Sequence, residues 1–396
     1  MTAFLLPALW LIVFIVGLPQ FSETVYSPSL PDIAHDLQVR ESLVEYTLTI
    51  YLFGIALGTL FWGKLSDSIG RKPCVLAGLV IFIIGCIGCY LATSIEMLLL
   101  SRLIQALGGA IGSVIGQAIC RDAFHGPAAG RAFATIGSSL AIFPAIGPMI
   151  GGVIAEQFGW SSIFLFLIGV SLILMLAVIL KLPETHHKEN RKPTSLLTVM
   201  FALIKDPKVL GLGIIVGACN GITFSYFAEG SFYLIKILGV APSVYGFSFL
   251  GIALSSMAGG MLSKKLNTHR ESVLIMRDGL VIIFISTLVF TLGILTHLYL
   301  FSFSMISLVC FTVLTQMATM FGVCMATSNA LAICLTDYKW CIGTASSLFG
   351  FFYYGLISFF TLGMGYWHNG TLLPMPLYFL SLAVLALAVQ RLLLRR

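Results

Sequence analysis

Charge is what this chain has least of. Lys, Arg, Asp and Glu together supply 10% of its 396 residues, while hydrophobic residues supply 58%. A soluble domain carries about 25% charged residues. The shortage excludes a soluble globular protein, because one core cannot hide so much apolar surface. Enzyme signatures are also missing. No His-Glu-x-x-His, no Gly-x-Ser-x-Gly and no acid cluster falls in any apolar run. "GTLFWGKL" (58–65) has the Gly-x4-Gly-Lys spacing of a phosphate loop. It puts Leu65 where Ser or Thr should hold magnesium, and no strand precedes it. With no ATP-binding domain elsewhere, active transport would have to draw on an ion gradient. No cofactor and no metal are expected.

The opening "MTAFLLPALWLIVFIVG" lacks the basic start and small-residue cleavage site of a signal peptide, so it reads as a first membrane span. The nine cysteines are scattered. Cys86 and Cys89 ("CIGC") lie inside an apolar run and read as small packing residues in preference to a redox or metal pair. "NGT" (369–371) matches a glycosylation sequon, but Asn369-Gly370 reads more simply as a tight turn.

What the chain does have is long apolar runs. A membrane-crossing helix needs about 20 predominantly apolar residues. Twelve such spans are expected, at 5–27, 43–63, 74–93, 97–120, 131–155, 161–181, 209–235, 243–263, 274–296, 299–335, 341–366 and 372–392. The tenth is long enough to protrude or bend. Of the 22 Lys and Arg residues, all but Arg40, Lys236 and Arg102 fall on one side or at its edge. That side includes Lys64, Arg121, Arg131, Lys264, Lys265, Lys339, Arg395 and Arg396. Basic residues mark the cytoplasmic face, so both termini are placed there, in a cell inner membrane. The same bias accounts for most of the net charge of +6 without nucleic acid.

The chain also repeats itself. "GIALGTLFWGKLS" (54–66) and "GIALSSMAGGMLS" (251–263) agree at seven of thirteen positions, each at the end of the second span of its half. The polar "KLPETHHKENRKPTS" (181–195) sits near the midpoint. The expected architecture is all-α and membrane-embedded. It has a six-helix bundle at 1–181, a cytoplasmic linker at 182–208 and a second six-helix bundle at 209–396. Two copies of a six-helix unit suit a transporter whose halves rock about a central site.

"GKLSDSIGRKP" (63–73) joins the second and third spans. Gly63 and Gly70 permit tight turns, Asp67 can face the positive end of a neighbouring helix, and Arg71 and Lys72 hold the loop in the cytoplasm. Either these charges form a breakable clasp on the inner side or they only set topology.

These residues carry a resemblance. The chain resembles the major facilitator superfamily over nearly its whole length, and "GKLSDSIGRK" looks like that family's signature loop. The resemblance implies that Asp67 and Arg71 stabilise an outward-open state by engaging the start of the eleventh span. Ser68 stands where a basic residue is common, and the second-half copy has Lys264 in place of the acid. "RLIQALGGA" (102–110) looks like the family's fourth-span motif, with Arg102 and Gln105, and with Ala106 for the usual glycine. "PAIGPMIGG" (144–152) looks like the fifth-span motif of proton-driven antiporters, through Gly147, Pro148, Gly151 and Gly152, with Phe143 replacing a glycine. "ETVYSPSLPDI" (23–33) is similar to the end of the first span in bicyclomycin- and chloramphenicol-resistance exporters, with Glu23 where those have aspartate.

Ionisable residues inside spans are expensive and are functional candidates by default. Glu23 and Arg102 each lie about five residues from the outer end of their span, roughly 7–8 Å deep at about 1.5 Å per residue. They suggest a pair, direct or through water. Burial raises a carboxyl pKa and a nearby Arg lowers it, so Glu23 can exchange protons. A static salt bridge is the competing reading. Glu229, in the outer part of the seventh span, is a second proton or cation site, or a hydrated interfacial acid. Gln105, Gln117, Asn220, Gln316 and Asn329 are cavity contacts or interhelical hydrogen bonds. Phe224, Tyr226, Tyr353 and Tyr354 are candidates to line an apolar pocket. Pro148 and its neighbouring glycines would bend the fifth span and let other helices close on it, sealing the centre.

The function expected is a monomeric, proton-coupled antiporter that exports a small amphipathic molecule, a drug or a metabolite such as a siderophore. Its partners are lipid, substrate and protons. A proton-driven importer, a membrane-embedded enzyme and a passive channel are the rivals.

Overall fold

The computed structural model describes residues 7–124, 136, 139, 142–185, 196–338 and 342–393. Eleven of the described helices are long and apolar enough to cross a membrane. They are α1 (Leu9–Asp36), α2 (Glu41–Ile69), α3 (Arg71–Tyr90), α4 (Ile95–Cys120), α6 (Ser162–Lys181), α7 (Pro207–Ile237), α8 (Pro242–Leu266), α9 (Ser272–Tyr299), α10 (Met305–Cys334), α11 (Thr344–Trp367) and α12 (Pro374–Leu392). Helix α5 (Phe143–Phe158) stands where the fifth span is expected. The beginning of that span, with Arg131, lies outside the described residues, as do Lys339, Arg395, Arg396 and 186–195 of the expected linker. The rest of that segment includes a short helix, Leu196–Lys205. Together these elements make the twelve-helix, all-α architecture, and no strand occurs among the described residues.

Local chemistry sets the helix ends. Ser94, Asp206 and Ser304 accept hydrogen bonds from backbone N–H groups in the first turns of α4, α7 and α10. Gly70 turns the chain between α2 and α3 at φ 108°, where a side chain would be strained. The tenth span begins at Met305, six residues later than expected, and runs for 30 residues to Cys334. Residues 301–304, Phe-Ser-Phe-Ser, form the connection; the two phenylalanines keep it apolar enough that no charge, Gly or Pro marks the break. The sequon is a turn: Gly370 has φ 73°, and Asn369 Oδ1 accepts from Thr371 N at 3.0 Å. Cys86 and Cys89 are free and buried.

Large apolar side chains point outward, among them Leu172, Ile173, Leu176 and Leu180 of α6. Lipid is the environment that suits them. Inside, helices approach closely at small residues. Gly147 and Gly151 press against Thr24 and Val25 of α1, Gly152 presses against the Pro242 carbonyl, and Gly246 presses against the Pro148 carbonyl. Helix α5 is thereby held between α1 and α8. Helix α2 meets α11 in the same way, with Gly63 beside Ser347 and Ser358 donating to the Thr49 carbonyl at 3.0 Å.

Candidate functional site: a polar path between the halves

Glu23 lies in α1 beside Pro19, whose missing N–H loosens the helix there. Its side chain is 3% exposed, and Oε1 has no hydrogen-bond partner. It borders a cavity of about 180 Å³ lined from α1, α2, α4, α7, α10 and α11 by residues including Gln20, Ser113, Asn220, Phe224, Tyr353 and Tyr354. A second hollow of about 240 Å³ continues past Tyr353 and Tyr354 to Thr59, Gln117 and Ser346. A third, of about 200 Å³, runs from Gln117 to Asp67, Arg71 and Asp122. The three form a stepped polar path from Glu23 to the signature loop. Ser113 lines all three, and it stands in a π-helical turn of α4, Gly112–Gly116. Such turns recur at functional sites because they re-aim side chains. Nothing in a hydropathy reading marks Ser113.

Arg102 is fully buried but does not bond Glu23. Its guanidinium lies between the rings of Tyr26 and Tyr51, 4.5 and 4.1 Å from their centroids, and donates from Nη1 to Gln105 Oε1 at 2.5 Å. Gln105 Nε2 in turn reaches Cys86 Sγ at 3.0 Å. No direct bond joins the cation to Glu23, and its field still reaches the carboxyl. The stacked pair Tyr353–Tyr354, with centroids 4.6 Å apart, separates the first two hollows.

Other expected contacts lie elsewhere. Asn329 bonds Ser263 and Asn267, tying α10 to α8. Gln316 is buried in α10, outside the three hollows. Tyr226 packs on Phe249. A larger hollow of about 530 Å³ lies between α1, α5 and α6, but its lining is almost wholly apolar and offers little to orient a ligand.

The signature loop is bonded within its own surroundings. Arg71 donates to Asp67 at 2.7 Å, to Asp122 at 2.9 Å and to Ser66 at 2.6 Å. The backbone N–H groups of Arg71 and Lys72 donate to Glu184, and Lys72 Nζ donates to the Ile179 carbonyl. The expected engagement with the start of the eleventh span falls on side chains outside the described residues.

Glu229 is remote from these hollows. On the opposite face from Asp67, its Oε2 meets His368 Nδ1 at 2.7 Å, with Glu45 beside them. His368 lies just past α11. Burial holds its pKa below the usual imidazole range; Glu45 partly offsets this and Lys236 adds to it. Glu41, Glu45 and His368 were not singled out from the sequence. The signal for them was three acids and a histidine close to the same ends of facing spans. On this face α1 also meets α7 and α8, where Ser27 donates to the Phe227 carbonyl and lies 3.2 Å from the Tyr245 hydroxyl.

Known proteins share both the sequence and the shape. An uncharacterized transporter of Rickettsia bellii is 34% identical over 390 residues, covering 95% of this chain and 93% of that protein. A bicyclomycin resistance protein homolog of Haemophilus influenzae is 32% identical over 272 residues, 68% of each chain. In shape, a bacterial homolog of the human lysosomal transporter Spinster, solved inward-facing and unoccupied, matches with a TM-score of 0.74 over 98% of this chain and 97% of that one. At 14% identity it speaks for the fold alone. The Major Facilitator Superfamily pattern matches residues 9–361, so this chain belongs to that family and is a multi-pass membrane transporter, not an enzyme.

Proposed function

We propose that the protein exports small amphipathic molecules, drugs or an endogenous metabolite, in exchange for protons, by alternating access. The observation that carries this reading is Glu23: a carboxyl buried in the bilayer-spanning core, at the wall of the central cavity, within the field of Arg102 but not bonded to it. A carboxylate locked in a salt bridge keeps its charge. One left beside a cavity with an unsatisfied oxygen can exchange a proton for a cationic or polar ligand. Tyr353, Tyr354, Phe224 and Asn220 would hold the substrate's apolar and polar parts. Export fits the resistance named for the Haemophilus relative. It fits too the close packing of α5 on α1 and α8, which leaves little room for ions to leak.

In this reading residues 1–181 and 209–396 are the two rocking units, joined by 182–208. Both termini are cytoplasmic in an inner membrane, and the protein works as a monomer. The three hollows make the inner, cytoplasmic half of the pathway, and the contacts of Ser27 and His368 close the outer half.

The test is a substrate screen in proteoliposomes with an imposed pH gradient. The wild type is expected to expel substrate against its gradient and to move protons the other way. Glu23→Gln is expected to fold and to bind substrate, but to lose proton-driven export by at least about 100-fold, since it removes the exchanging group outright. Normal coupled export by that variant, or uphill uptake on outside acidification, would defeat the proposal.

A further inference from the structure

The closed outer face contains a cluster that the exchange at Glu23 does not use. Glu41 and Glu45 come from the first turns of α2, Glu229 and Lys236 from α7, and His368 follows α11. Helix α2 belongs to the first sequence repeat, and α7 and α11 belong to the second. Lys236 bonds Glu41. His368 Nε2 lies 3.0 Å from Glu41 Oε2, Nδ1 lies 2.7 Å from Glu229 Oε2, and Nδ1 lies 3.3 Å from Glu45 Oε1. Glu45 and Glu229 are both fully buried; neither oxygen of Glu45 and not Oε1 of Glu229 has a hydrogen-bond partner.

Proton counting follows from these contacts. Both ring nitrogens of His368 face carboxylate oxygens, and two acceptors cannot meet at 2.7 Å without a hydrogen between them. A neutral imidazole supplies one N–H, which Glu41 takes. The contact with Glu229 therefore requires one more proton, whichever of the two atoms carries it. Glu45 then has no basic partner of its own, because the nearby Nδ1 is engaged and Lys236 bonds Glu41; it faces the Glu229 carboxyl, a contact that also needs a proton. A second fully buried carboxylate with no counter-charge is the costliest state available to the cluster, and protonating it removes that cost.

We infer that Glu45, Glu229 and His368 form a second proton-binding site, assembled only when the outer face closes, which takes up two protons from outside and holds α2 against α7 and α11. The inference rests on the exporter reading in that it supplies the outer step of the cycle, in which proton entry shuts the outside and delivers the molecule to the inward side. Opening would part α2 from α7 and α11, admit water to each group and release both protons. The closed form thus binds more protons than the open one, so acid favours closure and closure is lost as pH rises. Within the cluster Glu45, Glu229 and His368 titrate together and not as separate residues. The other groups facing the cluster are Tyr233 near Glu229, Tyr46 beside Gly365, and the Phe232 ring 5.5 Å from His368.

The test is a distance measurement by electron paramagnetic resonance on the full-length protein in nanodiscs with EDTA present. Spin labels are carried on p-acetylphenylalanine at His35 and Ala241, both exposed on the outer side of opposite halves. Between about pH 5 and pH 9 the short-distance population is expected to fall more steeply than a one-proton curve allows. Glu45→Gln mimics the protonated acid, so its midpoint is expected about one pH unit or more higher, with a one-proton slope. Glu229→Gln is expected to flatten the response further. Glu23→Gln is expected to shift at most the midpoint and to keep the steeper-than-one-proton slope, which separates failure here from failure of the coupling assignment. A pH-independent distance in the wild type, an unaltered titration in both Glu45→Gln and Glu229→Gln, or loss of the closed form in EDTA at every pH would overturn the inference.

Discussion

Gly151 of α5 sits directly against the backbone carbonyl of Val25 in α1, with no room between them for a β-carbon. Gly151→Ala must push the two helices apart two residues from Glu23. Overpacking of this kind costs about 1–3 kcal/mol. The expected result is a lower melting temperature in detergent and reduced transport. Gly169→Ala is the control, because open space surrounds that glycine in α6. Equal melting temperatures for the two variants would show that the α1–α5 contact yields.

Arg102 is placed by two aromatic faces as much as by charge. Arg102→Lys keeps the charge but loses the flat guanidinium that stacks between Tyr26 and Tyr51 and reaches Gln105. A desolvated cation–π contact is worth about 2 kcal/mol, and a loss of that order is expected by thermal denaturation, with slower export. A Lys variant as stable and as active as wild type would reduce Arg102 to a point charge.

The two acids on Arg71 are unequal. Asp67 is 56% exposed at its side chain and Asp122 22%. Solvent screens the first pair, so Asp67→Asn is expected to cost at most about 1 kcal/mol of stability. Asp122→Asn is expected to cost about 1.5–3 kcal/mol, the range for a hydrogen bond to a charged group. Thermal shifts of the two variants in parallel check the order.

Tyr354→Ala removes half of the stacked pair between the first two hollows. An aromatic contact contributes about 0.5–1.5 kcal/mol, so KM for an aromatic substrate should rise roughly 3–10-fold with kcat little changed. A fall in kcat at constant KM would instead assign Tyr354 to the conformational step.

The fold was legible because lipid imposes a simple rule: about 20 apolar residues for each crossing. Errors fell where that rule is blind, as at 301–304, where an uncharged Phe-Ser-Phe-Ser connection with no Gly or Pro parts α9 from α10. Glu23 and Arg102 were legible because charge inside a span is conspicuous. Their geometry was not: equal depth suggested a pair, direct or through water, and the structure shows no direct bond, giving Arg102 to Tyr26, Tyr51 and Gln105. Glu45 and His368 were harder still. Near a span's end an acid reads as hydrated, and only the approach of α2 to α7 and α11 buries it.

Each hollow along the path measures no more than about 240 Å³, while pockets that enclose drug-sized ligands run to about 300–1,000 Å³. Cargo of that size fills more than any one hollow and must span the steps between them. It must wedge Tyr353 from Tyr354 and spread the frame around Ser113, so part of the grip on a passenger is spent widening its own berth. Bulky passengers would then be held loosely, which suits a carrier whose task is to let go on the far side.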